Sequence, residues 1–284
     1  MSHYKKLRTK VLEYNKLYNL TKSIKLMTLT KLKTNREIYI NQNESLNNFS
    51  ILLTSLKEAT AFKSYLFVPI TSDKSCCGSI NINLLEVTLQ FINLIKKKIK
   101  IIGIFLIGKR GNSFSNKFLN EYYFKNVFNI TKETSSLLTS LILIEKLTKK
   151  KYDIYIFFFN NFISPVKQEV SIFSIMSYNV LISSIIENIN IYNSYQALLF
   201  SSLIDISDSF IKDFYFFLLS LVLLKALHQN ELSELSGRIT SMQNASNNSK
   251  DIMKKVSLEY NKARQSYITN ELIEIMSALI ASEA

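Results

Sequence analysis

The chain has 284 residues, 47% hydrophobic and 12% aromatic, with 35 basic against 22 acidic side chains and a net charge of +13. That apolar content excludes a disordered chain, and five glycines with two prolines supply too few turns for an all-β sandwich or barrel. Adjacent Cys76 and Cys77 exclude a disulfide scaffold and suit a reducing compartment, while His3 and His228 alone cannot build a His/Cys zinc cluster.

From Met1 to about Thr60 there is neither Gly nor Pro. Leu7, Val11, Tyr14, Leu17, Leu20, Ile24 and Met27 recur in steps of three and four, which predicts one apolar helical stripe with Lys5, Lys16, Lys22 and Lys33 mostly off it. Met1–Arg36 holds ten Lys/Arg and one acid, Glu13, a net +9. Such a basic helix suits nucleic acid, an anionic membrane surface or a large acidic protein partner, and composition does not choose among them. The stretch overlaps in character with a mitochondrial presequence but continues far past that length. After Arg36 the pattern loosens around Asn41, Asn43, Asn47 and Asn48, and a second helical stretch is expected over Leu46–Ala61.

The middle of the chain alternates. Ser64–Ile70 reads as a buried strand, followed by a turn over Thr71–Gly78 and a helix over Asn81–Lys97. Ile99–Ile107 is the next strand, closed by Gly108-Lys109-Arg110-Gly111. A helix over about Thr131–Lys150 precedes strands at Tyr152–Asn160 and Gln168–Ile175. Strands alternating with helices of a dozen residues imply βαβ units and a mostly parallel sheet. The glycine-flanked Lys109-Arg110 pair after a strand could suit phosphate, but it lacks both the Gly-x-Gly-x-x-Gly spacing and the Walker pattern, so a nucleotide site is not expected. Cys76 and Cys77 read as buried thiols, since neighbouring cysteines bridge only with strain.

From Asp213 onward the chain is helical again. Leu232, Leu235, Ile239, Met242, Ala245, Ser249, Ile252, Val256, Tyr260, Ala263 and Tyr267 average 3.5 residues per step, the repeat of a left-handed supercoil. Phe214–Leu224, broken by Ser220, falls short of the roughly 18 apolar residues of a membrane span and reads as core. Gln229–Ala284 carries a net charge of −1. The two long helices lie at opposite ends, so an antiparallel pair is expected. At 1.5 Å per residue, a helix of 50 residues would extend about 75 Å, well beyond a globular domain.

Four stretches resemble the gamma subunit of F-type ATP synthase, the central shaft of the rotary motor. Glu234–Ala245 is similar to the family's SARMTAMDNA stretch, and Leu258–Ile275 to its YNKARQAxITxELIEI signature almost residue for residue. Thr21–Met27 resembles TKSMKM, and Ser72–Gly78 resembles SDRGLCG, with Lys74 for the family's arginine and Ser75 for its glycine. The order is the family's, although Asn112–Asp213 shows little beyond compatible element order.

The resemblance implies an α/β protein: a long antiparallel coiled coil of the N- and C-terminal helices plus a Rossmann-like α/β domain. The expected division is 1–61 for the N-terminal helix, 62–205 for the α/β foot and 206–284 for the C-terminal helix. It implies a non-catalytic rotor subunit with no cofactor and one copy per complex. The implied partners are the hexamer of alpha and beta subunits, the delta and epsilon central-stalk subunits and the c-ring, with the membrane reached only through the complex. By the same resemblance Arg264 and Gln265 contact a catch loop of a beta subunit, since a bidentate guanidinium beside an amide suits carboxylates or backbone carbonyls. Arg238, Lys25 and Ile24 are further coupling contacts, Ile24 standing where the family often has methionine. The inserted dithiol segment of chloroplast members has no counterpart, which points to the matrix side of the mitochondrial inner membrane, or otherwise the cytoplasmic side of a bacterial one. The competing reading is a basic helical hairpin that binds nucleic acid, and a Rossmann-type nucleotide enzyme is a third.

Overall fold

The computed structural model describes residues 3–54, 64–95, 101–111, 125–128, 136–149, 151–188 and 208–283. Its elements are α1 (His3–Thr54), β1 (Ser64–Pro69), α2 (Ile80–Ile95), β2 (Ile101–Ile107), β3 (Lys125–Phe128), α3 (Leu137–Thr148), β4 (Ile154–Phe162), β5 (Gln168–Met176), α4 (Tyr178–Asn188) and α5 (Asp208–Glu283). The chain divides into two compact units, residues 31–237 and residues 1–30 with 238–284.

The larger unit is built on a five-stranded sheet of order β3-β2-β1-β4-β5. β1 pairs in parallel with β2 and β4, β2 in parallel with β3, and β5 closes one edge antiparallel to β4. Side chains alternate faces along a strand. Leu66, Val68 and Phe157 therefore enter one core with Leu143, Ile144 and Leu147 of α3 and Tyr215, Leu219 and Leu223 of α5. Phe67, Ile104 and Phe158 enter the other with Leu84, Leu85 and Ile92 of α2. Burial on both faces explains why these strands read as unbroken apolar runs. Ser136 caps α3, accepting from the Thr139 amide while the Thr139 hydroxyl accepts from the Ser136 amide.

Two elements were not expected, β3 and α4. β3 is four residues of Lys-Asn-Val-Phe with no alternation to mark it, and α4 follows β5 with one residue between. The break expected after Arg36 is absent: α1 runs unbroken to Thr54, so the helix expected from Leu46 is its continuation. Asparagine lowers helix propensity by less than about 1 kcal/mol per residue, and neither Gly nor Pro interrupts the stretch. Residues 55–61 and 96–100 of the expected helix and strand ends lie outside the described residues.

The smaller unit pairs the first turns of α1 with the later part of α5. Tyr4 packs on Tyr267 with ring centroids 4.8 Å apart, and the Lys25 ammonium donates to Gln243 Oε1, so the helices run antiparallel. The covered side of α1 runs through Leu7, Val11, Tyr14, Tyr18, Thr21, Ile24, Lys25 and Thr28. This corrects the expected stripe in its second half, because Leu17, Leu20 and Met27 are 48%, 56% and 61% exposed. The threonines sit in the seam at little cost: Thr21 donates back to the Leu17 carbonyl at 2.9 Å and Thr28 to that of Ile24 at 2.8 Å. On α5 the expected Met242, Ala245, Ser249, Val256, Tyr260 and Ala263 are covered, while Met253 replaces the exposed Ile252.

Candidate functional site

An open α/β sheet binds ligands where strand order reverses, beyond the carboxyl ends of the strands. Here that point lies between β1 and β4. In this chain α5 itself lies across it. Phe162 N–H donates to Gln229 Oε1 at 2.9 Å, Asn160 Nδ2 donates to Asn230 Oδ1 at 3.0 Å, and the Ser233 hydroxyl donates to the Asn160 carbonyl at 3.0 Å. Gly237 faces the loop after β1, where an added Cβ would stand 2.7 Å from the Cys77 carbonyl oxygen, closer than real contacts allow. The crevice is thus filled by the chain's own helix.

The loop after β1 is equally committed. The Thr71 hydroxyl donates to the Ile107 carbonyl at 2.7 Å and accepts from Gly111 N–H at 2.9 Å. Asp73 Oδ1 accepts from Lys109 N–H at 2.7 Å, and Arg110 N–H donates to the Ser72 carbonyl at 3.1 Å. Amides of the Gly108–Gly111 segment that could have cradled a phosphate therefore hold Thr71–Asp73 instead. Burial raises the Asp73 carboxyl above its usual range, with the Lys109 amide and charge acting the other way. Gly78 adopts a left-handed backbone, at φ 69°, and Cys76 does so too, at φ 67°. Cys77 is buried as expected, but Cys76 is exposed, which corrects the reading of both as buried thiols. No group of three or more His, Cys, Asp or Glu among the described residues is placed to hold a metal ion.

The five residues singled out on the helices do not form one site. Arg264 and Gln265 are exposed on α5 near the Tyr4–Tyr267 contact. Lys25 is half-buried and bonded to Gln243, beside half-buried Ile24. Arg238 is buried, at 7% exposure. From Gln243 to Arg264 the helix rises about 30 Å, so the two groups stand at separate levels. Sequence reasoning passed over Gln229 and Asn230. The available signal was two adjacent amide side chains between Ala226-Leu227 and Leu232 on a helix whose neighbouring positions are core.

Paired terminal helices thus accompany a sheet with helices on both faces, whose ligand crevice is closed by the chain's own helix. A family model described as ATP synthase matches residues 3–281, and the chain belongs to that family. It is 28% identical to the mitochondrial ATP synthase subunit gamma of Trypanosoma brucei brucei, over 95% of this chain and 89% of that one. It is 25% identical to the ATP synthase gamma chain of Nautilia profundicola over 99% of both. In fold it matches a chain of the Euglena gracilis mitochondrial ATP synthase OSCP/F1/c-ring structure, with a TM-score of 0.80, 22% identity and coverage of 98% and 94%. The nucleic-acid reading of the basic helix gains no support from these relatives.

Proposed function

We propose that the chain is the central-stalk rotor subunit of a proton-driven F-type ATP synthase, passing torque between the membrane rotor ring and the catalytic alpha/beta hexamer. The observation that carries this is the end-to-end match to gamma subunits, on a fold whose terminal helices pair antiparallel. It is a non-catalytic subunit; ATP chemistry belongs to the beta subunits. Its partners are the alpha and beta subunits, the delta and epsilon central-stalk subunits and the c-ring, with one copy per complex. No helix among the described residues is long and apolar enough to cross a membrane; as a rotor subunit the chain meets the membrane through its complex. The kinship with a trypanosomal mitochondrial subunit supports a place on the matrix side of the inner membrane.

Arg264 and Gln265 are the contacts with a beta-subunit loop, and their exposure on α5 supports that role. Lys25, Ile24 and Arg238 are further coupling contacts with the surrounding subunits. Beyond Tyr267, Leu272, Ile273, Met276 and Ile280 are all exposed on the described chain, an apolar surface suited to enclosure by a ring of subunits. The test is native-gel separation of membranes with mass spectrometry of the band that holds this chain, followed by the Arg264→Ala/Gln265→Ala double variant. Alpha and beta subunits in the same band, and loss of ATP synthesis in the variant, are expected. A band without those subunits overturns the rotor reading, and normal synthesis in the variant overturns the contact assignment.

A further inference from the structure

Where α5 meets the sheet unit, its contacts are of two kinds. Tyr215, Leu218, Leu219, Val222, Leu223, Ala226 and Leu227 join an apolar core, where the Tyr215 hydroxyl also donates to the Met176 carbonyl at 2.6 Å. Apolar contact holds the helix by burial and close packing, without directional bonds. One turn further on the character changes. Gln229, Asn230, Ser233 and Ser236 are all buried, and every one is bonded to a neighbour.

Gln229 is the junction of three elements. Its Oε1 accepts from the Phe162 amide at the end of β4, and its Nε2 donates to the Tyr39 hydroxyl of α1. Asn230 Oδ1 accepts from Nδ2 of Asn160 at 3.0 Å and from its backbone amide at 3.4 Å. Ser233 donates to the Asn160 carbonyl, and Gln168 Nε2 at the start of β5 donates to Ser236 Oγ at 2.9 Å. These bonds are directional; those between Asn160 and Asn230 or Ser233 are buried, and those of Gln229 and Gln168 are partly so. A twist of the helix would strand several of them at once, each at roughly 1–3 kcal/mol. The spacing of 229, 230, 233 and 236 places them on one helical face, against the carboxyl end of β4 and the hairpin that follows.

Resting on the rotor reading above, we propose that Gln229 and Asn230 are positioning residues that lock the sheet unit to α1 and α5, so that torque applied to the sheet turns both helices without slip. The lock matters under load and not for ATP hydrolysis at the catalytic sites. The experiment uses the whole enzyme in membrane vesicles and measures protons pumped per ATP hydrolysed. Gln229→Leu/Asn230→Leu keeps the volume and removes the bonds; it is expected to lower that ratio at least threefold with hydrolysis within twofold of the parent. Asn230→Asp keeps an acceptor for Asn160 and is expected to hold the ratio within twofold. An unchanged ratio in the assembled double variant overturns the lock while leaving the rotor reading intact. Should the double variant fail to assemble, Gln229→Leu alone is judged by the same ratio, and a parental value overturns the lock. A parent chain absent from the ATPase overturns the rotor reading and the lock together.

Discussion

The two units differ in where they keep their large apolar side chains. In the sheet unit Phe67, Phe157 and Phe158 are fully buried between helices and strands of the same chain. In the helix-pair unit Tyr18, Thr21, Lys25, Thr28, Ala245 and Ser249 occupy covered positions, while Leu17, Leu20, Met27, Leu272 and Ile273 face outward. A domain that folds for itself buries its hydrophobes; a helix pair built for enclosure presents them. The sheet unit thus has an apolar core of its own, whereas the helix pair leaves a run of large apolar side chains open to solvent.

The largest effect that could break this contrast is at Phe157. Phe157→Ala removes a fully buried ring stacked on Phe173 at 4.7 Å and is expected to destabilise the isolated chain by about 3–5 kcal/mol in urea melts. A loss under 1 kcal/mol would mean that the sheet core is not self-sufficient. Next comes Gly237→Ala, which drives a methyl group toward the Cys77 carbonyl and is expected to lower stability by about 1–3 kcal/mol. Ser136→Ala removes the α3 cap at about 1 kcal/mol, read from the same melts.

Alkali sharpens the comparison by a different route. Burial pushes the Tyr155 phenol up to about 12 and raises that of Tyr215 further, so the folded state favours their protonated forms. Their contribution is fully present below about pH 10 and is lost as pH rises from 10 toward 12. Phenolate absorbance should show a late fraction that rises together with unfolding; complete ionisation in one step near pH 10 would contradict their burial. The smallest effect belongs to the outer face of α5. Leu272→Ser should leave the isolated chain's melting within about 0.5 kcal/mol while weakening assembly of the complex, as judged by native gel. Substantial melting loss in the free chain would show that this side chain is covered without a partner.

Much of this was legible beforehand, element by element. The apolar runs at Ser64–Ile70 and Tyr152–Asn160 announced buried strands, and four of the five strands lie within two residues of their expected starts. β3 escaped because four residues at a sheet edge carry no periodic signal, and the continuity of α1 escaped because clustered asparagines resemble a boundary. At the candidate site, Arg264 and Gln265 stood out through their motif. Gln229 and Asn230 did not, since two amides in a helix look like surface until the carboxyl end of β4 is brought against them.

Local pattern therefore determined most of the element types and the family signature, because hydrophobic period and motif spacing are properties of neighbours in sequence, and two long helices at opposite ends of the chain made their antiparallel pairing the simplest arrangement. Two decisions were left to tertiary structure. One was the seam of α1: Leu17-Leu20-Met27 and Tyr18-Thr21-Thr28 are both spaced for a supercoil and differ by one residue, and only the facing side chains of α5 select the second. The other was the fate of the crevice between β1 and β4, which α5 closes with hydrogen bonds from residues some 70 positions away in sequence. Such bonds arise between groups that sequence separates and folding brings within 3 Å, so they exist only once the chain has folded.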